Sequence, residues 1–379
     1  MFYMKKKILL ISQLLVNDKM ALFKQLDNFY DMTYLITRKN EEHTKSIKDT
    51  DKIKCEHFKP YYFSRMVFSP SILKKILLSD YDVIINQDPH TFEAIFTTLV
   101  AKLRGKKSII YSETWNWPRH PSAKILAPFL WMMFRLTDAL ITTSHKALNF
   151  SQKLGYQKSK KFFIAHLPSH DYYKKIDKEE LYKSVPEARG KKILLYLNRI
   201  VPYKGLDLLL EALENLNMNF YLIICGTDYK DMKTRNKNFM DNILKKIEVM
   251  KNVSYVGYSE EKKVFYLSMA DLVVFPTTTR DYDGESWGVT TVEAMSAAKP
   301  VLVTNAVGCA EEVVKPGKNG LIIQHGDVIS LTNSLKNLLS NDESLKKMGE
   351  ISRELWKKIT WENYFLSYKK AIEYSLDKF

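Results

Sequence analysis

The strongest constraint on the fold is an alternation that runs along most of the chain. Short, near-continuous apolar runs are separated by amphipathic segments with helical spacing. In the first half the apolar runs are Lys7–Ser12, Met32–Thr37, Val83–Gln87, Ser108–Ser112, Ala139–Thr143 and Lys161–Ala165. Ser71–Leu78, Thr91–Lys102 and Ser122–Leu136 read as helices among them. In the second half the runs are Lys192–Asn198, Asn219–Cys225, Val253–Gly257, Leu272–Pro276, Pro300–Thr304 and Gly320–Ile323, with a helical pattern over Leu206–Leu216. Strands that are apolar throughout are covered on both faces, which is the condition of a parallel sheet between helices. At 379 residues the chain is too long for one ordinary core and suits two. The expected fold class is therefore α/β, with two doubly wound, Rossmann-like domains. Their expected extents are 1–172 and 190–360. The polar stretch Ser169–Lys191 reads as the linker, because it is charged and carries no sustained apolar stripe, and Trp361–Phe379 reads as a separate amphipathic helix. Two such domains facing each other place the carboxyl ends of their strands, and their ligands, along a central cleft.

Composition narrows the function classes. The chain is 45% hydrophobic and 27% charged, as in globular proteins, and has no low-complexity tract or internal repeat. No apolar run approaches the ~18 residues that a membrane-spanning helix needs; Phe129–Ile141 is interrupted by Arg135 and Asp138. Lys5-Lys6-Lys7 followed by Ile8–Val16 imitates a secretory leader, but Asn17-Asp18-Lys19 follows in place of a small-residue cleavage site, and a buried first strand explains the same letters. Cys55, Cys225 and Cys309 match no metal or redox spacing and fit a reducing, cytoplasmic compartment. The net charge of +15 is concentrated, with twelve Lys and Arg against Glu113 and Asp138 between Ala101 and Pro168. Trp115, Trp117, Phe129, Trp131 and Phe134 are interleaved there, a mixture suited to an anionic membrane surface or a nucleic acid, and equally to a lysine-rich solvated face.

Three stretches of the second half carry chemistry. In Leu194–Gly205 a strand ends near Asn198, which places Arg199 and Lys204 on the loop at its carboxyl edge, beside a helix N-terminus. A planar guanidinium and a point-charge ammonium there suit a diphosphate, although two solvated loop cations read the same in isolation. In Asp283–Met295, Glu285 lies on a loop, a helix opens near Gly288, and Glu293 falls about one turn inside it. A loop carboxylate can hold sugar hydroxyls while free helix N–H groups meet phosphate, and Glu293 can hold a ribose. Thr290-x-x-Glu293 also reads as a capping box, which would make Glu293 structural. In Val301–Gly320, Gly308 allows backbone to approach a ligand closely or simply makes a strand-to-helix turn. Asp281-x-Asp283 has the look of a metal-binding acid pair, but its place before Glu285 argues against metal. The histidines, His90 and His120 included, have no zinc spacing and read as local hydrogen-bonding residues.

Together, Arg199-x4-Lys204-Gly205, Glu285-x7-Glu293-Ala294-Met295 and Lys299-Pro300-Val301 resemble the nucleotide-sugar domain of the family 4 retaining glycosyltransferases, which have the GT-B fold. The resemblance is specific over about 191–323, extends to the tail as a helix crossing back to the first domain, and is architectural in the first half. It implies transfer of a sugar from a nucleotide-diphosphate sugar to a glycan or lipid-linked acceptor, in cell-surface polysaccharide or glycoconjugate synthesis. The enzyme would work in the cytoplasm or at the inner face of the membrane. By the same resemblance Arg199 and Lys204 bind the diphosphate and stabilise leaving charge. Glu285 binds hydroxyls of the transferred sugar, Ser286, Trp287, Gly288 and Gly308 line sugar or phosphate, and Glu293 holds the ribose. Retention without a metal cofactor is implied, with a leaving-group oxygen accepting the acceptor's proton. Asn198, Ala298 and Cys309 stand where the family often has Gly, and Glu113 stands near the place of a common histidine. Glu113 is a candidate for contacting sugar or acceptor, or a hydrogen-bonded core acid. A nucleotide-sugar epimerase of the same fold is the alternative enzyme; a basic nucleic-acid-binding protein is the alternative of another class, against which stands the lack of any nucleic-acid module.

Overall fold

The computed structural model describes residues 5–13, 17–37, 53–59, 61–63, 66–117, 121–175, 177–227, 233–280 and 284–377. The chain divides into two compact units, Met1–Leu167 with Thr360–Phe379, and Pro168–Ile359.

In the first unit the strands are β1 (Lys7–Ser12), β2 (Asp31–Ile36), β3 (Cys55–His57), β4 (Tyr61–Phe63), β5 (Met66–Phe68), β6 (Val83–Asn86), β7 (Lys107–Ser112), β8 (Ala139–Thr142) and β9 (Phe162–Ile164). Seven of them form one sheet in the order β3-β2-β1-β6-β7-β8-β9, parallel throughout, and β4 and β5 pair separately and antiparallel. The strand order reverses beside β1, so the carboxyl ends of β1 and β6 flank a topological switch point. Both faces of the sheet are covered, which is why Ile8, Leu10, Val83, Ile84, Ile109 and Ile110 are all fully buried. The six strands expected here are present; β3 was not foreseen, because Cys55-Glu56-His57 has no apolar run to show it.

The last helix, Trp361–Leu376, belongs to this unit. Thr360 caps it by accepting from the Asn363 amide at 3.0 Å. Tyr364, Tyr368, Ala371 and Ile372, spaced three and four apart, make its buried face. Phe365 packs on Phe29 with ring centroids 5.3 Å apart. Tyr364 donates to the Tyr111 hydroxyl at 3.2 Å, and Gln87 Nε2 donates to Tyr368 Oη at 3.1 Å. The tail is therefore a built part of the first core.

The second unit holds β10 (Lys192–Leu197), β11 (Phe220–Cys225), β12 (Val253–Gly257), β13 (Leu272–Phe275), β14 (Val301–Thr304) and β15 (Gly320–Ile323). They form one parallel sheet in the order β12-β11-β10-β13-β14-β15, with its switch point between β10 and β13. Leu194, Tyr196, Leu222, Ile224, Leu272, Val274 and Leu302 pack with Leu206, Leu209, Leu210 and Leu213 of the Leu206–Glu214 helix in one core. The stretch expected as linker behaves differently. Asp171 pairs with Arg353 at 2.7 Å, the Tyr172 amide donates to Ser296 Oγ at 3.0 Å, and a short helix forms over Lys178–Ser184. Polar anchors and a few scattered buried side chains, Tyr172, Leu181, Val185 and Ala188, attach it to the second unit, too widely spaced to show as a sustained apolar stripe.

Candidate functional site

The residues singled out in the second half lie on three loops at the carboxyl ends of β10, β13 and β14, around the switch point. After β10, Pro202–Lys204 makes a 3-10 turn that ends on Gly205, whose φ of 70 is left-handed. A Cβ on Gly205 would lie 2.0 Å from the Pro276 carbonyl oxygen, so glycine is what allows the β10 loop to lie against the end of β13. Further bonds fasten the two loops: the Thr278 amide donates to Tyr203 O at 2.6 Å, and Arg280 Nη2 donates to Pro202 O and to Asp207 Oδ1, each at 2.8 Å.

This latch fixes both expected cations. Arg199 is half-buried; its Nη2 donates to the Tyr203 hydroxyl, and its carbonyl accepts from the Tyr196 hydroxyl at 2.9 Å. Lys204 is only 2% exposed and makes an ion pair with the Glu285 carboxylate. Burial, and next the neighbouring Arg199 charge, push the Lys204 pKa well below its ordinary 10.5. Glu285 is the counter-charge in contact with it.

The Glu285 loop is held by backbone. Glu285 pairs with Val307 in a parallel bridge, with its amide donating to Ala306 O and the Gly308 amide donating to Glu285 O, both at 2.9 Å. The Cys309 amide donates to Trp287 O at 2.7 Å, and Trp287 itself is buried. A Cβ on Gly308 would sit 1.9 Å from Ser286 O, so the glycine serves a close approach of two loops of the chain. Gly288, at φ 100, is the N-cap of the Val289–Ser296 helix. The capping box over Thr290-x-x-Glu293 does not form, since Thr290 already lies inside the first turn and the cap carries no side-chain bond. The reason is the left-handed Gly288, which starts the helix two residues earlier than a Thr290 cap would.

Glu293 is 7% exposed, on the inner face of that helix. Its Oε1 accepts from Lys263 Nζ at 2.9 Å, and the same ammonium reaches Tyr172 Oη and Glu260 Oε1, each at 2.9 Å. Burial pushes the Glu293 pKa up and Lys263 opposes this; on Lys263, burial is outweighed by the charges and hydrogen bonds of its partners, which raise its pKa. Lys263 and Tyr172 are absent from the expectations. Nothing in the local sequence sets Lys263 apart from Lys262, and Tyr172 falls in the supposed linker.

The carboxyl ends of β10 and β13 also hold buried polar atoms with no hydrogen-bond partner among the described residues, Asn198 Nδ2 and Thr277 Oγ1. Such atoms are costly unless something satisfies them. Helix N-termini follow both the β10 loop and the Glu285 loop, and their first amides lack intrahelical acceptors. Two fixed cations, a carboxylate and free donors make an arrangement suited to an anion that carries hydroxyl groups.

Glu113 stands in the first unit, after β7, and accepts from the Tyr111 hydroxyl at 2.6 Å. Nearby strand ends bring Gln87, bonded to Lys19 Nζ at 3.2 Å, and Asp88, which accepts from the Gln13 amide at 2.7 Å. His90 is a correction: its Nε2 is buried with no hydrogen-bond partner among the described residues, and burial pushes its pKa down to about 4, so it is not a local hydrogen-bonding residue at that atom. His120, Asp281 and Asp283 lie outside the described residues. Among the described residues no group of three or more His, Cys, Asp or Glu side chains is placed to hold a metal ion.

Residues 177–355 match the family model described as Glycosyl transferases group 1. An uncharacterized glycosyltransferase of Methanocaldococcus jannaschii, MJ1178, is 30% identical over 202 residues, covering 53% of this chain and 52% of that protein. A lipopolysaccharide 1,2-N-acetylglucosaminetransferase of Salmonella typhimurium is 25% identical over 211 residues, 54% of each. The chain thus spans about half the length of the curated relatives it matches. In three dimensions, Anabaena HepE in complex with UDP is similar over 99% of this chain and 100% of its own, with TM-score 0.76 and 16% identity. A sucrose-phosphate synthase from Thermosynechococcus elongatus gives TM-score 0.73 at 15% identity, over 97% of this chain and 98% of its own. The architecture is GT-B: two parallel-sheet, Rossmann-like units, with a C-terminal helix that returns to the first.

Proposed function

We propose that this chain is a retaining glycosyltransferase of family 4. It would bind a nucleotide-diphosphate sugar on the second unit and transfer the sugar to a glycan or lipid-linked acceptor in polysaccharide or glycoconjugate synthesis. The observation that carries the reading is the buried Lys204, seated beside Arg199 and against Glu285 on latched loops. An ammonium in so dry a place gains most from an added anion, and a diphosphate supplies two negative groups to the Arg199–Lys204 pair. In this reading the two cations take up charge as it grows on the departing diphosphate, at fixed positions that need no reorganisation. Glu285 exchanges its contact with Lys204 for hydroxyls of the transferred sugar. Ser286, Trp287, Gly288 and Gly308 shape the sugar and phosphate subsite, and Glu293 holds the ribose with Lys263 as its counter-charge. Charge neutralisation by these side chains makes a metal cofactor unnecessary to the mechanism. A leaving-group oxygen accepts the acceptor's proton on the face the sugar leaves, which gives retention. Glu113 is the candidate contact to sugar or acceptor from the first unit.

The test is incubation with a panel of nucleotide sugars, with and without glycan and lipid-linked acceptors, following nucleotide release and the product anomer by NMR. Acceptor-dependent nucleotide diphosphate release with a retained anomer supports the reading. An inverted anomer overturns the retaining mechanism, and conversion of the donor without acceptor favours the epimerase.

A peripheral site on an anionic inner membrane surface completes the proposal. Ile125, Phe129 and Trp131 on the Pro121–Leu136 helix are 72%, 52% and 48% exposed, and Arg135 lies over the Trp131 ring. Exposed apolar side chains beside cations suit a headgroup boundary. Lys106 is partly neutralised by Asp80, while Arg119 and the Lys124 side chain lie outside the described residues. Among the described residues no helix is long and apolar enough to cross a membrane. Binding to anionic vesicles that is unaffected by reversing charge at Lys106, Lys107 and Lys124 would refute the electrostatic part.

A further inference from the structure

At the opposite, amino-terminal edge of the second sheet lies a cavity of about 460 Å³ that nothing above assigns. Its wall includes Lys192 at the start of β10, Asp271 just before β13 and Pro300 just before β14. The donor loops leave the other ends of the same strands, roughly 20 Å away for a six-residue strand. Six lysines line the cavity against three carboxylates. Two of those carboxylates are already engaged: Asp271 with Lys178 at 2.7 Å, and Asp342 with Lys192. Asp271 is also held by the Ile193 amide at 2.8 Å. Among the described residues Lys174, Lys175 and Lys346 form no ion pair, and Glu350 is the single lining carboxylate left for them and for Lys299.

Lys299 is the inset member. Its ammonium has one hydrogen bond, to the Ser268 carbonyl at 2.7 Å near the end of the Glu260–Met269 helix. Its backbone is fixed by the end of the Val289–Ser296 helix. Ala298 sits in the left-handed region at φ 58, and the amides of Ala298 and Lys299 close on Met295 O and Ala294 O, both at 3.0 Å. The helix beginning at Asp342 packs tightly there, since a Cβ on Gly349 would meet Ala298 O at 2.2 Å. A lysine held in place by its backbone, with donors to spare, in the wall of a cavity lined by three further ammonium groups with one carboxylate among them is a built anion site.

We propose that this cavity binds a phosphate-bearing anion, with Lys299 as the inner anchor and Lys174, Lys175 and Lys346 as the outer charges. The proposal is independent of the donor site. Burial pushes the Lys299 pKa down to about 8, so an anion that restores its charge draws in a proton on binding. The ligand is either free in solution or a lipid headgroup, and the two sources are separable.

The experiment is calorimetric titration of the full chain with inorganic pyrophosphate at pH 8, in two buffers of different ionisation enthalpy, alongside sedimentation with vesicles containing phosphatidic acid. We expect saturable pyrophosphate binding with uptake of up to about half a proton. In an Arg199→Ala/Lys204→Ala background, which removes the donor-loop cations, affinity should fall at least tenfold in K174A/K346A, whose substitutions are at exposed positions, and proton uptake should vanish in Lys299→Met and Lys299→Arg. Arg199→Ala, at the donor loops, should leave this binding in place. Vesicle binding lost in K174A/K346A without soluble binding assigns the same site to a lipid. Pyrophosphate binding abolished by Arg199→Ala and untouched by K174A/K346A overturns the proposal, as does the absence of lysine-dependent binding in both arms.

Discussion

Replacing Lys263 by Met tests the buried charge network around Glu293 most sharply. The Lys263 and Glu293 side chains are 8% and 10% exposed and 2.9 Å apart. Removing one partner of such a pair costs about 3–5 kcal/mol because the other charge stays buried. A ceiling applies, since Glu293 can escape by taking a proton. From an ordinary value of 4.5, neutralising it at pH 7 costs roughly 3.4 kcal/mol, and at pH 5.5 roughly 1.4 kcal/mol. The sign follows from linkage. Burial raises the Glu293 pKa in the folded state, so the stability associated with its protonation is complete below 4.5 and is lost as pH rises through the folded value. Without Lys263, which pulls that value down, the loss extends to higher pH. K263M should therefore be destabilised by about 3 kcal/mol at pH 7 and by about 1 kcal/mol at pH 5.5, and K263M/E293Q should recover most of the deficit. Urea unfolding monitored by amide exchange in β10, β11 and β13 reads this in the second unit. Equal losses at both pH values, or less than about 1 kcal/mol at pH 7, would refute the buried-pair account.

Gly308→Ala places a Cβ 1.9 Å from Ser286 O and should cost about 1–3 kcal/mol, with nucleotide affinity falling more than tenfold as the Glu285 loop moves; thermal melts and a binding titration check both. Ala298→Gly relieves a left-handed alanine worth about 1–2 kcal/mol, less about 0.5–1 kcal/mol for the extra freedom of glycine when unfolded, so a gain of about 0.5–1 kcal/mol is expected in urea unfolding. Tyr368→Phe removes the bond from Gln87 and should lower stability of the first unit by about 1 kcal/mol, measured in the same way.

The two sheets were legible because parallel strands buried on both faces have to be apolar throughout; the expected segments of β10 and β13 differ from the observed ones by a single residue at one end. β3 stayed hidden because a three-residue edge strand with Glu56 at its centre leaves no periodic trace. In the second unit Gly288 indicated where the helix opens, and so placed Glu285 on the loop and Glu293 inside. Sequence could not show that Lys204 and Glu285 pair, since 81 positions separate them and only the sheet order brings their strand ends together. Lys263 and Tyr172 were invisible for a related reason: nothing local distinguishes the buried Lys263 from Lys262 beside it. The lysine cavity was likewise hidden, assembled as it is from the starts of three strands and two other segments distant in the chain.

The most direct test of the central claim is equilibrium binding of UDP, GDP, ADP and CMP to the wild-type chain and to Arg199→Ala/Lys204→Ala, followed as a shift in the melting temperature. A ligand that binds only the folded state at a hundred times its Kd adds about 2.7 kcal/mol. A donor site built on these two cations gives a shift with a nucleoside diphosphate that is lost in the double variant. A shift that persists in the double variant, or none with any nucleotide at millimolar concentration, would contradict a donor site built on Arg199 and Lys204.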